Sequence, residues 1–515
     1  MKAMIVLPYL FAWFWILWAL PVGADYRTLK QAYDSYTPPS FGLFEEGRQP
    51  EPEKRPLDQD MLVEKRRIQE AVSLWEKSIQ HPDGLPVFFR PDPHVLQQLE
   101  KIKGDDKAVS DLLKQGFSLE TLEVLTLLRQ PGIRAAEDRM RAAIEGIRQV
   151  TALDDILRQY AAFTEGVMTG VGPMKGKEPI EMRFPFPGVL SLKGEIAEQE
   201  VRIAREGLEI ARRDAVTAVR TAFWKLLYNR EARRITNRTL DLFRQLQEVA
   251  TARYEAGKTS FQDVIKIRIE RDILADRLIS LQEEKGNIEA RIREALNLGP
   301  SVPLGSPVEK DPSKRVPRPE ALYDLAIENR QELRKLRDRI GKTERMIEMA
   351  ETMILPPFSL DLSLYENEAV NTVGPVATKE PFPVSIEASR GAGLPKRPWY
   401  GMEDAYLLQT RQDLNGLREE LRNRETETVT MVRQAWYALD KAVRGEILYK
   451  DHIVGPSKAA LDASTSAYES GKVAFADVIS SYELWLQSNL KKENRRAEIG
   501  IARAELERVL GTTID

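Results

Sequence analysis

The chain has 515 residues, 30 % charged and 42 % apolar, with 76 Lys+Arg against 79 Asp+Glu and a net charge of -3. Interspersed, nearly balanced charges argue against a nucleic-acid partner and suit long amphipathic helices with solvated faces. Cysteine is absent, which excludes disulfides, thiolate metal sites, a Cys nucleophile and lipidation at an N-terminal Cys.

Met1 to Ala24 reads as a secretory signal. Lys2 precedes an apolar run from Met4 to Leu20, and Val22-Gly23-Ala24 offers small residues for cleavage before Asp25. An uncleaved anchor carrying Trp13, Trp15 and Trp18 is the competing reading. No later stretch approaches the length of a transmembrane helix, so any further crossing of a membrane requires strands. Residues 25–117 form an N-terminal extension, partly disordered. Its first part is polar and proline-rich to about Asp60, and two helical stretches follow, Met61 to Gln80 and another ending near Gln115.

From Ser118 onward the chain is written twice. The first repeat spans 118–300 and the second 321–515, joined by a proline-rich linker over 301–320. Ser118 is an N-cap for an apolar pattern at Leu122, Leu125 and Leu128. Leu322, Leu325, Arg334 and Asp338-Arg339 match Leu122, Leu125, Arg134 and Asp138-Arg139 at an offset of 200. The helical pattern stops after about Tyr160. Glycines and prolines over 164–187 then bracket a period-two stretch at Ile180-Glu-Met-Arg-Phe. Its counterpart over 357–390 is clearer, with Phe358, Leu360, Leu362 and Leu364 alternating with polar residues, then Phe382-Pro-Val-Ser-Ile-Glu-Ala. Each repeat is therefore expected to supply one strand pair, although Pro185 and Pro187 interrupt the first.

A long hairpin follows in each repeat. The outbound helix of the first covers about Leu192 to Ala252, with a stripe at Ala215, Val219, Ala222 and Leu226 continued by Leu242, Leu246 and Val249. Some 60 residues at about 1.5 Å each give a rod of roughly 90 Å. The return helix runs from Phe261 to about Leu298, with Ile265, Ile269, Ile273, Ile288, Ile292 and Leu296 as its apolar positions. Val429, Val432, Trp436, Leu439 and Val443 repeat the outbound pattern, and Gly455-Pro456 should kink it. Such helices pack as antiparallel coiled coils.

Between the helices of each hairpin lies the most closely repeated segment. Arg253-Tyr-Glu-Ala-Gly-Lys-Thr-Ser-Phe-Gln-Asp-Val-Ile265 returns as Ala467-Tyr-Glu-Ser-Gly-Lys-Val-Ala-Phe-Ala-Asp-Val-Ile479, at an offset of 214. Gly257 and Gly471 supply the positive φ that lets a chain reverse between helices. Val219 to Trp224 matches Val432 to Tyr437 at an offset of 213. The three histidines, His81, His94 and His452, have no metal-ligand spacing. No phosphate loop or nucleophile elbow occurs either. The sequence reads as a non-enzyme without a cofactor.

The doubled Tyr-Glu-Ala/Ser-Gly-Lys followed by Phe-x-Asp-Val-Ile resembles the outer membrane efflux proteins, the TolC-like family. Ile354-Leu-Pro-Pro-Phe-Ser-Leu-Asp-Leu-Ser and the Ala-Leu-Asn-Leu-Gly and Val-Leu-Gly helix ends strengthen the resemblance, which covers about 118–515. It implies a mainly α chain with a small β part. Three copies would close one outer-membrane β-barrel of about twelve strands, and the helices would reach into the periplasm. The implied function is the exit duct of a tripartite efflux or type I secretion-like system. Its implied partners are two further copies, a periplasmic adaptor, an inner-membrane pump and outer-membrane lipid. Gly257, Lys258, Gly471 and Lys472 occupy the family's adaptor-contacting tips, and Asp263 and Asp477 its acidic entrance. A helix-dipole role is the simpler account of both Asp residues. A second acidic residue of some members is replaced here by Lys266 and Ser480. Phe184, Phe186, Phe382, Trp399 and Tyr400 are candidates for an interfacial aromatic belt or for ordinary loop packing. A periplasmic coiled-coil adaptor and a non-conducting relative are the alternative readings.

Overall fold

The computed structural model describes residues 56–80, 86–168, 180–184, 189–257, 259–353, 358–362 and 400–514. The expected signal peptide, most of the tail before Asp60, Lys258 and the second strand of each expected pair lie outside them. So do Phe186, Phe382 and Trp399, and the side chains of Phe184 and Tyr400.

The described elements run in chain order as follows. Helices α1 (Pro56–Gln80), α2 (Pro93–Glu100) and α3 (Asp106–Gln115) precede α4 (Leu119–Arg129) and α5 (Pro131–Met168). Strand β1 (Ile180–Phe184) leads into α6 (Val189–Glu255), the first outbound helix, and α7 (Phe261–Ala295), its return. The second repeat holds α8 (Pro319–Asn329), α9 (Gln331–Met353), β2 (Phe358–Leu362), α10 (Tyr400–Ile447), α11 (Val454–Glu469) and α12 (Phe475–Leu510). No described helix is long and apolar enough to cross a membrane.

Two differences from the sequence expectations concern helix ends. Helix α5 continues to Met168 rather than stopping near Tyr160. The interruption of the second outbound helix is a π-helical turn over Leu448–Ile453, ahead of Gly455-Pro456. Pro456 follows that turn directly, as the third residue of α11. The π turn has a simpler origin. The repeat offset is 213 at Val219/Val432 and 214 at Gly257/Gly471, so the second repeat carries one extra residue between them. A turn bonded i to i+5 holds one residue more than an α turn and absorbs it.

The chain divides into two compact units. The first comprises residues 1–83, 139–204 and 336–420. In it β1 and β2 pair antiparallel, with Ile180 opposite Leu362 and Phe184 opposite Phe358. The described strand pair thus joins the two repeats rather than lying within one. Ion pairs Arg345–Glu195 (2.7 Å) and Lys342–Glu200 tie α9 to α6 in this unit.

The second unit comprises residues 84–138, 205–335 and 421–515 and holds α7, α11 and α12 with most of α6 and α10. Val219, Ala222 and Leu226 of α6 are buried as expected, with Phe223 and Trp224. They pack with Ile288, Ile292, Leu296 and Leu122, and also with Leu99, Val109, Leu113 and Phe117 of the N-terminal extension. Those residues of the extension are therefore core. The linker is pinned as well: the Gly305 N–H donates to Leu113 O (3.0 Å) and the Val308 N–H to Phe117 O (2.9 Å). On α7 the expected stripe splits. Ile288, Ile292 and Leu296 are buried, whereas Ile265, Ile269 and Ile273 are exposed. The buried positions toward the tip are Ile267, Leu274 and Leu281, which lead to Ile288 at heptad spacing. A spacing of four drifts around the helix, while a spacing of seven holds one seam against the partner.

Buried arginines join the elements of this unit. Arg213 of α6 makes a bidentate pair with Glu332 (2.7 and 2.8 Å) and donates to Gln331 Oε1 (3.0 Å). Burial opposes ionisation of Glu332, but the hydrogen bonds and charge of Arg213, helped by Arg330, prevail and lower its pKa from 4.5 to about 2. A depressed acid stabilises the fold above its unfolded value and loses that contribution as pH falls through the folded one. Glu332→Gln should therefore cost about 1–2 kcal/mol at neutral pH, discounted for partial exposure. Denaturant melts should show the variant and parent converging as pH approaches 2.

Candidate functional site

The two hairpin tips turn alike at their glycines. Helix α6 ends at Glu255, and Gly257 follows with φ +68°, its N–H donating to Tyr254 O at 2.9 Å. Helix α11 ends at Glu469, and Gly471 follows with φ +75°, its N–H donating to Tyr468 O at 2.9 Å. The Lys472 N–H closes the second tip on Ala467 O (2.8 Å), a Schellman-type bond across the helix end. A Cβ at either glycine would meet open space, so conformation rather than crowding calls for glycine here. Gly257, Gly471 and Lys472 are exposed.

The two acidic candidates differ in their surroundings. Asp263 and Asp477 both stand in the first turn of a return helix, where a carboxylate is favoured by the helix dipole. Asp263 is half-buried and accepts a hydrogen bond from the Thr259 hydroxyl (2.6 Å). Asp477 is exposed, and Val473 stands where the first tip has Thr259. Lys266 is half-buried and Ser480 exposed. One to two turns further on, Glu270 has its pKa raised, by burial first and by the charge of Glu483 second. These acids of α7 and α12 therefore lie near enough to repel each other.

One residue joins the tips. Arg253 Nη1 donates to Tyr468 O at 3.0 Å and reaches Glu469 O at 3.5 Å, and its guanidinium lies over the Tyr468 ring at 4.5 Å. A cation on the last carbonyls of a helix is favoured by the dipole, and here it adds a second donor to the Tyr468 carbonyl that the Gly471 N–H already meets. Sequence reasoning passed over Arg253, although the signal was present: it is the first residue of the doubled segment, and the copy has Ala467 there. Glu270 and Glu483 carried no comparable signal, because helices this charged hold many solvated carboxylates.

These features define a duplicated helical-hairpin protein whose described strands pair across its repeats and whose tips are latched in pairs. Residues 180–298 match the family described as outer membrane efflux protein. No curated protein matches the chain. Among solved structures, the outer-membrane channel OprN matches at 16 % identity and a TM-score of 0.57, covering 76 % of this chain and 89 % of that one. The outer membrane protein VceC from Vibrio cholerae matches at 14 % identity and a TM-score of 0.55, covering 77 % and 97 %. The open-state MtrE outer membrane channel of Neisseria gonorrhoeae matches at 15 % and 0.54, covering 76 % and 89 %. The chain thus resembles the outer membrane efflux proteins in sequence over residues 180–298 and in fold over about three quarters of its length.

Replacing Arg253 by Ala should free the carbonyls at the end of α11. A charged donor to such groups contributes about 1.5–3 kcal/mol, so amide exchange at Ser470, Gly471 and Lys472 should quicken roughly ten-fold or more. Arg253→Lys should restore only part of the protection, since an ammonium lacks the planar stack on Tyr468. Unchanged exchange in both variants would show that the latch holds nothing.

Proposed function

We propose that this protein is an outer-membrane exit duct, a passive channel in a tripartite efflux or type I secretion-like system. The observation that carries the reading is the pairing of strands from both repeats, β1 with β2, in a chain with two glycine-turned hairpins. The family match over 180–298 and the fold of outer-membrane channels support it. In this reading three copies contribute strands to one barrel, because a few strands per chain cannot close alone. The helices extend into the periplasm, and a periplasmic adaptor and an inner-membrane pump complete the path.

Gly257, Lys258, Gly471 and Lys472 are then the adaptor-contacting tips. Asp263 and Asp477 form the entrance, with Glu270 and Glu483 as a second acidic tier that favours cations. The mechanism involves no bond-making: carboxylates set the ion preference and the tips set the aperture.

The test is reconstitution of the purified full-length protein into planar bilayers, with trimers and discrete ion-conducting steps expected. A monomer carrying no current would overturn the reading, and recovery in the soluble periplasmic fraction would favour a coiled-coil adaptor instead. Charge reversal at Lys258 and Lys472 together should weaken adaptor capture while leaving trimers and conductance intact. Unchanged capture in a pull-down would remove these lysines from the docking surface.

A further inference from the structure

Away from the tips, the second unit encloses a cavity of about 880 Å³, within the range of about 300–1,000 Å³ usual for small-molecule sites. Stretches far apart in the chain meet around it: the strap over 86–90, the first turn of α4, α6 at Arg220 and Trp224, the linker over 310–313, and the end of α12 with the residues after it. Arg220 stands about 50 Å along α6 from Arg253, and no tip residue or entrance carboxylate borders the cavity. Its walls are fixed from outside. The Phe88 N–H donates to Glu209 Oε2 (3.1 Å) and Arg205 Nη2 to Pro86 O (2.7 Å), which hold the strap. Arg496 holds the linker through Asp311 (2.7 Å) and Glu309 (3.1 Å).

Several charges on the wall are matched within the protein. Arg220 is shared by Glu123 and Glu507, Arg334 pairs with Glu206 (2.8 Å), and Asp92 caps α2. Arg503 is matched only in part. Its Nε donates to Glu507 (3.2 Å) and its Nη2 to Ile514 O, while its Nη1 is buried with no partner among the described residues. Charge is poorly solvated here, since burial raises the pKa of Glu507 despite two arginines. A cationic donor left unpaired in such surroundings costs free energy, which an acceptor entering the cavity would recover. Two features favour a negative acceptor. Lys310 borders the cavity and is exposed, and Leu119 and Glu120 bring the N-terminal end of α4 to the same wall. Glu123 and Glu507 limit that charge. With Arg220 and Arg503 they form a neutral cluster, so one negative charge is balanced by Lys310 and two are not.

We propose that this cavity binds an amphipathic monocarboxylate, its carboxylate accepting from Arg503 Nη1 and its apolar or aromatic body lying against Val87 and Phe89. The site is separate from the tips, and the proposal stands whether or not the chain conducts. A ligand seated there braces three non-helical segments, the strap, the linker and the residues after α12, against the helices.

The experiment uses the full-length protein and phenylbutyrate. Isothermal titration calorimetry should show saturable binding at one site per chain, and none with phenylbutanol, which keeps the body and lacks the charge. No binding at millimolar phenylbutyrate, or equal binding of the alcohol, overturns the proposal. Tighter binding of phenyl phosphate overturns the single-charge assignment. Lys310→Glu and Arg503→Lys should each weaken binding roughly ten-fold with helical circular dichroism unchanged, the second because an ammonium lacks the guanidinium fork. Phe89→Ala should weaken it several-fold. Unchanged affinity in all three variants would remove the ligand from this cavity, as would a loss of affinity in the tip control Lys472→Glu. Irradiation with benzoylbenzoate then locates the site. Labelled peptides should come from residues 86–92, 310–313 or 500–513, and labelling confined to other segments overturns the assignment.

Discussion

A helix with apolar residues on two faces needs two neighbours, and a hairpin supplies only one. Helix α7 seats Ile267, Leu274, Leu281 and Ile288 against its own hairpin and leaves Ile265, Ile269 and Ile273 in solvent. Helix α12 meets both needs, because α6 packs on its second face. Burying one large apolar side chain is worth about 1.5–3 kcal/mol. The uncovered Tyr254, Phe261 and Ile265, each about half exposed, thus forgo about 2–4 kcal/mol between them. Much of the second unit follows from this imbalance: two repeats satisfy one another on one side only.

The helices meet at buried cations rather than at purely apolar contacts. Arg129 reaches the carbonyls of Leu296 (2.9 Å) and Asn297 (3.2 Å) and so closes the C-terminal end of α7. Arg220 bridges Glu123 of α4 and Glu507 of α12, with Phe88 and Phe89 of the N-terminal extension against its guanidinium. Burial pushes the Glu507 carboxyl up despite Arg220 and Arg503. Such pairs add little net stability, but removing one partner strands a buried charge. Their contribution is to register: Arg213, Arg220 and Arg253 each tie α6 to a different segment of the second repeat. A slip of α6 by one residue would break all three.

Much of this was legible in the residues. Periodicity placed the two helices of the first hairpin within a few positions of their ends, and doubled glycines placed both reversals. Doubling also separated equivalent positions that burial later distinguished. What periodicity could not supply was which apolar face is covered. Ile265, Ile269 and Ile273 have the same spacing a core stripe has, and only the neighbour decides their burial. Helix α5 outruns its pattern, ending at Met168 rather than near Tyr160, because glycine-rich sequence weakens a helical pattern before the helix stops. Tip chemistry was half legible: Gly257 and Gly471 declare themselves by conformation, whereas Arg253 acts on a carbonyl 215 residues away.

The single extra residue of the second repeat bears on the tips too. An insertion in a coiled-coil helix rotates everything beyond it by about 100° relative to the seam, which would turn the apolar face of α11 away from α12. Absorbing the residue in a π turn confines the disturbance to Leu448–Ile453. Beyond it Leu461 and Tyr468 are buried, at the heptad spacing that α7 also keeps. The two tips can therefore turn alike at Gly257 and Gly471 although their outbound helices differ by one residue.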